Sequence, residues 1–139
     1  MKHKQGEKMK LFIVAVSVVA VVLAMQITSH AAVEVTPQNI KQTFGNPANG
    51  KEEVVITFYS SECGPCHDMM PKLDAAEKKY PKVKFYRFNV DNDLSVAEQI
   101  AAVPTTIMIK KGTVVGGMRG DPPTQEVLNN ALEKAFNTK

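Results

Sequence analysis

Cys63-Gly64-Pro65-Cys66 holds the two cysteines of the 139-residue chain, and His67 follows them directly. Two thiols at this spacing can staple a fold, ligate a metal, carry a covalent haem or exchange electrons as a dithiol–disulfide couple. A staple stabilises by closing a long loop in the unfolded chain, and this loop is too short for much of that. Structural zinc needs four ligands. His3 and His30 lie in the N-terminal segment, so the body offers only Cys63, Cys66 and His67 as soft ligands, and no metal is expected. Haem attachment stays open, because Cys63 to His67 satisfies C-x-x-C-H. Met69, Met70, Met108 and Met118 would then offer distal ligands, although methionine also fills irregular cores. A redox couple fits best. A sulfur in the first turn of a helix meets unpaired N–H groups and the positive end of the macrodipole, both of which favour thiolate over thiol. On that reading Cys63 is the exposed nucleophile and Cys66, one turn deeper, the resolving thiol. The pair is then its own redox-active disulfide and needs no other cofactor. Gly64 admits close backbone approach, and Pro65 has no N–H to leave unpaired at a helix start.

These roles require a strand that delivers Cys63 and a helix that begins there. Val54–Tyr59 is β-branched and aromatic, the composition of a strand buried on both faces. From Cys66 to Tyr80, Met69, Met70, Leu73, Ala76 and Tyr80 recur at helical spacing, with Pro71 predicting a kink. Lys82–Val90 alternates as a second strand, and Leu94–Ala101 reads as a short helix. Thr105–Ile109 and Val114–Met118 form a hairpin through Lys110-Lys111-Gly112-Thr113, with Gly112 supplying the positive φ. Val127, Leu128, Ala131, Leu132, Ala135 and Phe136 line one face of a final helix. Upstream, Thr36-Pro37 opens a short helix over Gln38–Phe44, before a turn-rich stretch from Gly45 to Gly50. The order α, β, α, β, α, β, β, α predicts an α/β domain: a mixed sheet with an early parallel unit and a C-terminal antiparallel hairpin, flanked by helices.

The composition suits one such domain, with 44% apolar and 22% charged residues. The net charge of +3 sits in the first ten residues, and the remainder carries as many Asp and Glu as Lys and Arg. A neutral body without a basic run offers no nucleic-acid footprint. After Lys2, Lys4, Lys8 and Lys10 comes Leu11–Met25, apolar except for Ser17, and then Ser29-His30-Ala31. That layout reads as a signal peptide cleaved after Ala31 or as a retained N-terminal membrane anchor, residues 1–31 in either case, ahead of a domain over 32–139. Membrane contact is expected through residues 11–27 only if the leader is retained. The cationic end stays inside, which places the domain outside the cytoplasm, in a periplasmic or equivalent space.

In this order, the elements resemble a thioredoxin, over about Val33 to Phe136. Cys63-Gly64-Pro65-Cys66 is similar to that family's active-site tetrapeptide, Pro71 falls inside its active-site helix, and Val103-Pro104-Thr105 resembles its cis-proline loop. Phe88-Asn89-Val90-Asp91, Lys111-Gly112 and Gly120 stand where the family expects them. The resemblance implies a thioredoxin fold, a cis peptide at Val103–Pro104, and client binding at Val103, Pro104 and Thr105, with the Val103 backbone pairing with an extended substrate. It also exposes departures. Glu62 stands where a Trp is usual, and its anion opposes thiolate formation at Cys63. His67, when protonated, pulls the other way, but as the next residue along a helix it does not face the resolving sulfur. Thr57 replaces the buried Asp that takes the proton of the resolving Cys, and Arg87 replaces the Lys that accompanies it. Threonine cannot accept a proton at neutral pH, so resolution is expected to be slow.

Gly-Pro between the cysteines resembles the reducing members, which implies a potential at or below about −200 mV. The expected activity is reduction of disulfides in exported client proteins by a monomer that a membrane-embedded thiol donor recharges. A disulfide-forming oxidant or isomerase is the alternative, and a module that keeps the fold without the chemistry is a further one.

Overall fold

The computed structural model describes residues 32–39 and 52–137. The leader read over residues 1–31 and most of the helix and turn read over 38–50 lie outside the described residues. Thr36–Asn39 forms a turn in which Thr36 N–H donates to Asn39 Oδ1 at 2.7 Å and Asn39 N–H donates back to Thr36 Oγ1 at 3.3 Å.

Five strands form one sheet: β1 (Val33–Val35), β2 (Glu53–Tyr59), β3 (Val83–Asn89), β4 (Thr105–Lys110) and β5 (Thr113–Arg119), in the spatial order β1-β3-β2-β4-β5. β1, β3 and β2 run parallel, while β4 and β5 are antiparallel to their neighbours. This is the expected mixed sheet. β1 is an addition to the sequence reading, since three residues are too few for an alternation signal. The two residues between β4 and β5 both take positive φ, 53° at Lys111 and 74° at Gly112. That is the backbone of a tight hairpin whose twist matches its strands, so Lys111 shares the left-handed conformation assigned to Gly112 alone. The β4–β5 register shifts between Met108 and Ile109, leaving Val115 as an extra residue on β5.

Strand side chains alternate between faces, and β3 shows the division. Val83 and Phe85 join a cluster with Val55, Met69, Leu73, Met108, Leu128, Leu132 and Phe136, under helices α1 (Gly64–Lys79) and α3 (Gln125–Phe136). Phe88, with Tyr86 packed against its cluster, joins Val35, Val90, Val96 and Ile100 on the opposite face, beside α2 (Leu94–Gln99). Thr57, Arg87 and Thr106 have the parity of Val55, Phe85 and Met108, so they face α1. The run Val54–Thr57 is buried throughout, as its composition predicts.

Each helix is capped at its start. Asp93 accepts from Ser95 N–H at 2.9 Å ahead of α2, and Thr124 Oγ1 accepts from Val127 N–H at 3.3 Å ahead of α3. α1 runs through Pro71 and ends in Lys78 and Lys79, whose charges suit the negative end of its dipole.

Candidate active site

β2 and β3 end together at the pair Tyr59 and Asn89. From there β2 continues into Ser60–Glu62 and β3 into a single 3-10 turn, Val90–Asn92, so the two segments leave the sheet side by side. Ser60 carbonyl accepts from Cys63 N–H at 3.3 Å, which turns the chain into α1.

Cys63 is the N-cap of α1, with extended backbone (φ −95°, ψ 106°). Its sulfur accepts the Cys66 N–H at 3.3 Å, so one of the unpaired donors of the helix start is aimed at sulfur. Gly64 and Pro65 occupy the next two positions, where a missing N–H costs nothing. Cys66 is 1% exposed, while Cys63 stays partly accessible. The two are joined as a disulfide, with Cα atoms 5.3 Å apart. A Cβ built at Gly64 meets nothing within 4 Å, so among the described residues none demands its lack of a side chain.

The Val103–Pro104 peptide is cis, as the resemblance implies. Val103 O lies 3.6 Å from Cys63 Sγ, within reach of a thiol proton once the pair is reduced. Pro104 O accepts from Gly120 N–H at 2.8 Å, and Thr105 Oγ1 donates to Ala102 O at 2.6 Å, which braces this loop on both sides. Beyond Gly120, Lys72 of α1 pairs with Asp121 at 2.6 Å and donates to Pro122 O, also at 2.6 Å. Gln125 Nε2 donates to Lys72 O at 3.1 Å.

Beneath α1, Thr57 is fully buried and its hydroxyl lies 2.9 Å from that of Thr106. Thr106 Oγ1 is 4.0 Å from Met69 Sδ, one helical turn beyond Cys66. If Thr57 donates to Thr106 and Thr106 to the thioether, both hydroxyl protons have partners, and in any arrangement a hydroxyl does not take up a proton at neutral pH. Arg87 lies across the ladder from Thr57, but its guanidinium pairs with Asp74 of α1 while its buried Nε is without a hydrogen-bond partner. Thr106 was invisible in the sequence, where it reads as an ordinary strand residue.

The outer side is polar. Glu62 is exposed and offers only its N–H, to Ser60 Oγ at 3.3 Å. His67 is exposed too, and its Nε2 lies 3.1 Å from Ser61 O. Asp91 accepts from Ser61 N–H at 2.8 Å and from the Ser60 hydroxyl at 3.1 Å. The Ser61 N–H first, and the Ser60 hydroxyl second, hold its carboxyl below the usual range. Tyr59 donates to Glu34 at 3.1 Å, and burial, followed by the Glu34 charge, pushes its phenol up. Among the described residues, no three His, Cys, Asp or Glu side chains are grouped to hold a metal ion.

A family model described as Thioredoxin matches residues 31–134. The chain belongs to the thioredoxin family. It is 36% identical to the mitochondrial thioredoxin-3 of Saccharomyces cerevisiae over 95 residues, 67% of this chain and 70% of that one. Over 73 residues it is 40% identical to the thioredoxin of Echinococcus granulosus, covering 51% of this chain and 68% of the relative. Among solved structures, a thioredoxin from Nicotiana alata superposes with a TM-score of 0.66 at 25% identity, over 75% of this chain and 91% of that one. With a disulfide-capable pair at the start of its longest described helix, this thioredoxin is a thiol–disulfide oxidoreductase.

Proposed function

We propose that the chain works outside the cytoplasm as a reductant of disulfides in exported proteins, with Cys63 as the attacking sulfur and Cys66 as the resolving one. The observation that carries this reading is the Cys66 N–H aimed at Cys63 Sγ at 3.3 Å, on the less buried of the two cysteines. A donor so placed stabilises the thiolate, the form that attacks. In the reducing half-cycle the Cys63 thiolate attacks one client sulfur, a mixed disulfide forms, and the other client sulfur leaves as a thiolate that takes up a proton. Cys66, losing its proton, then attacks Cys63 Sγ; the client leaves as a dithiol and the Cys63–Cys66 disulfide remains. Two electrons and two protons have moved to the client, and a membrane-embedded dithiol donor must return the same to this chain.

Val103 O beside Cys63, on a loop braced by Gly120, supports Val103, Pro104 and Thr105 as the ledge on which an extended client strand lies. Location outside the cytoplasm is supported by the cationic and apolar layout of residues 1–31, of which the family match leaves 1–30 outside. Among the described residues, no helix is long and apolar enough to cross a membrane. A reducing potential is supported by the single N–H on Cys63 Sγ and by the Glu62 anion next to it. Strongly oxidising members have a reduced form that is heavily stabilised, and here the stabilisation is modest. Haem attachment would draw on both sulfurs and a His67 nitrogen, whereas the sulfurs bond each other and His67 Nε2 is engaged with Ser61.

The test is trapping. Cys66→Ser expressed with its leader is expected to accumulate mixed disulfides through Cys63 with exported proteins, absent from the Cys63→Ser, Cys66→Ser double variant. Equilibration with glutathione is expected to place the couple at or below about −200 mV, and a value above about −150 mV would reverse the direction of flow.

A further inference from the structure

Ser60, Ser61 and Glu62 are the whole connection between the last residue of β2 and the N-cap sulfur, so their backbone decides where Cys63 stands over α1. Short polar loops of this kind usually lean on water. Here Ser61 is held at three atoms: its N–H by Asp91 Oδ2 at 2.8 Å, its hydroxyl by Asn89 Nδ2 at 2.9 Å, and its carbonyl by His67 Nε2 at 3.1 Å. A carbonyl only accepts, so His67 Nε2 must carry the proton in that contact, and it can do so whether the ring is neutral or charged. Ser60 gives its hydroxyl proton to the same Asp91 oxygen at 3.1 Å, which leaves its own lone pairs turned to Glu62 N–H at 3.3 Å. Its carbonyl receives Cys63 N–H, also at 3.3 Å. Asp91 is itself fixed, because Asn89 Oδ1 accepts its N–H at 2.9 Å and caps the 3-10 turn. The register of the β2–β3 ladder makes this meeting unavoidable, since both strands leave the sheet at the Tyr59–Asn89 pair.

We propose that Asp91 is a positioning residue for the attacking sulfur: its carboxylate holds Ser60 and Ser61, and through them fixes Cys63 where the Cys66 N–H meets its sulfur. The inference rests on Cys63 being the attacking sulfur. Asp91 touches neither sulfur, and its two possible influences have opposite signs. As a charge, it repels a thiolate, so removing it would lower the Cys63 pKa. As a clamp, it keeps a donor on the thiolate, so removing it would raise that pKa.

The experiment measures the pH dependence of iodoacetamide alkylation of the reduced full-length chain, with wild type, Asp91→Ala, Asp91→Asn and Ser60→Ala compared. Asp91→Ala is expected to raise the Cys63 midpoint by about half a unit, which cuts the thiolate fraction about threefold below the midpoint. Asp91→Asn keeps an oxygen acceptor and loses the charge, so its midpoint is expected at or below that of wild type. Ser60→Ala removes one of the two bonds to Asp91, together with the acceptor of Glu62 N–H, without touching any charge and is expected to give a smaller rise. A downward shift or no shift in Asp91→Ala overturns the positioning role. Failure of the parent reading would appear in the wild type itself, as no thiol titrating below the ordinary value of about 8.5, and would remove this inference with it.

Discussion

The two sulfurs of one disulfide sit in opposite surroundings. Around Cys63 the groups are polar: a part-buried helix N–H and the Val103 carbonyl, and an exposed loop whose serines are tied to Asp91, Asn89 and His67. Around Cys66 there is a packed interior, with Met69 and Leu73 on the same helix face and the Thr57–Thr106 hydroxyl pair beneath α1. The outer side can stabilise an anion, and on the inner side Thr57 stands, hydrogen-bonded to Thr106, where a carboxylate would take a proton from the second thiol. On the proposed reading, the asymmetry favours formation of the mixed disulfide over its resolution and leaves the departing client thiolate or water as the base for the second step.

The sharpest break in that contrast comes from Cys66→Ser, which abolishes multiple turnover while leaving a single attack by Cys63 intact; a quenched-flow assay with an excess of small disulfide reads one equivalent and then stops. Next in size is Met69→Ala. It empties space under the inner sulfur and leaves Thr106 without its thioether contact, so denaturant unfolding is expected to show a loss of about 2–5 kcal/mol. Thr57→Asp would make the inner side resemble an ordinary member of the family. Burying an ionised carboxylate that is incompletely paired costs several kcal/mol in stability, a cost the group reduces by staying protonated over a wider pH range. In exchange, the resolution rate at pH 7 should rise and acquire a titration step from the new acid; an unchanged rate at pH 7 removes the claim that an inner base is what is missing.

Lys72→Met probes a junction between the two sides. It leaves Asp121, about four-fifths buried, without its cation, and a loss of about 1 kcal/mol or somewhat more is expected in the same unfolding assay. The smallest effect belongs to pH. Asp91 has a folded pKa below its unfolded value, so its contribution to stability is complete above the ordinary carboxylate range and fades as pH falls through the lowered value. Thermal melts of Asp91→Asn should therefore lie slightly below wild type at neutral pH and show a slightly flatter acid limb, so that the two converge as pH falls.

Much of this contrast was legible before any coordinates, because it is local. The helix start at Cys63, the buried run Val54–Thr57 and the replacement of an acid by Thr57 all follow from neighbouring residues. What escaped was set by register. Ser61 and Asp91 are thirty positions apart, and only the parallel ladder ending at Tyr59 and Asn89 brings them together. Thr106 likewise meets Thr57 because β4 runs antiparallel to β2, with these two residues opposite each other. β1 is too short to show a period and is fixed by its pairing with β3. At Lys111 the hairpin geometry overrode residue preference, placing a lysine in a backbone region that favours glycine.

The extra residue on β5 has a bearing on solubility. β5 is the outermost strand beside β4, and Val114 and Val115 on it are exposed, 64% and 41% respectively. A long regular edge of that composition would be a template for adding another chain. With Val115 bulged out, the outward row of amides and carbonyls is broken part-way along, which works against continuous pairing by an incoming strand beside the apolar side chains of this rim.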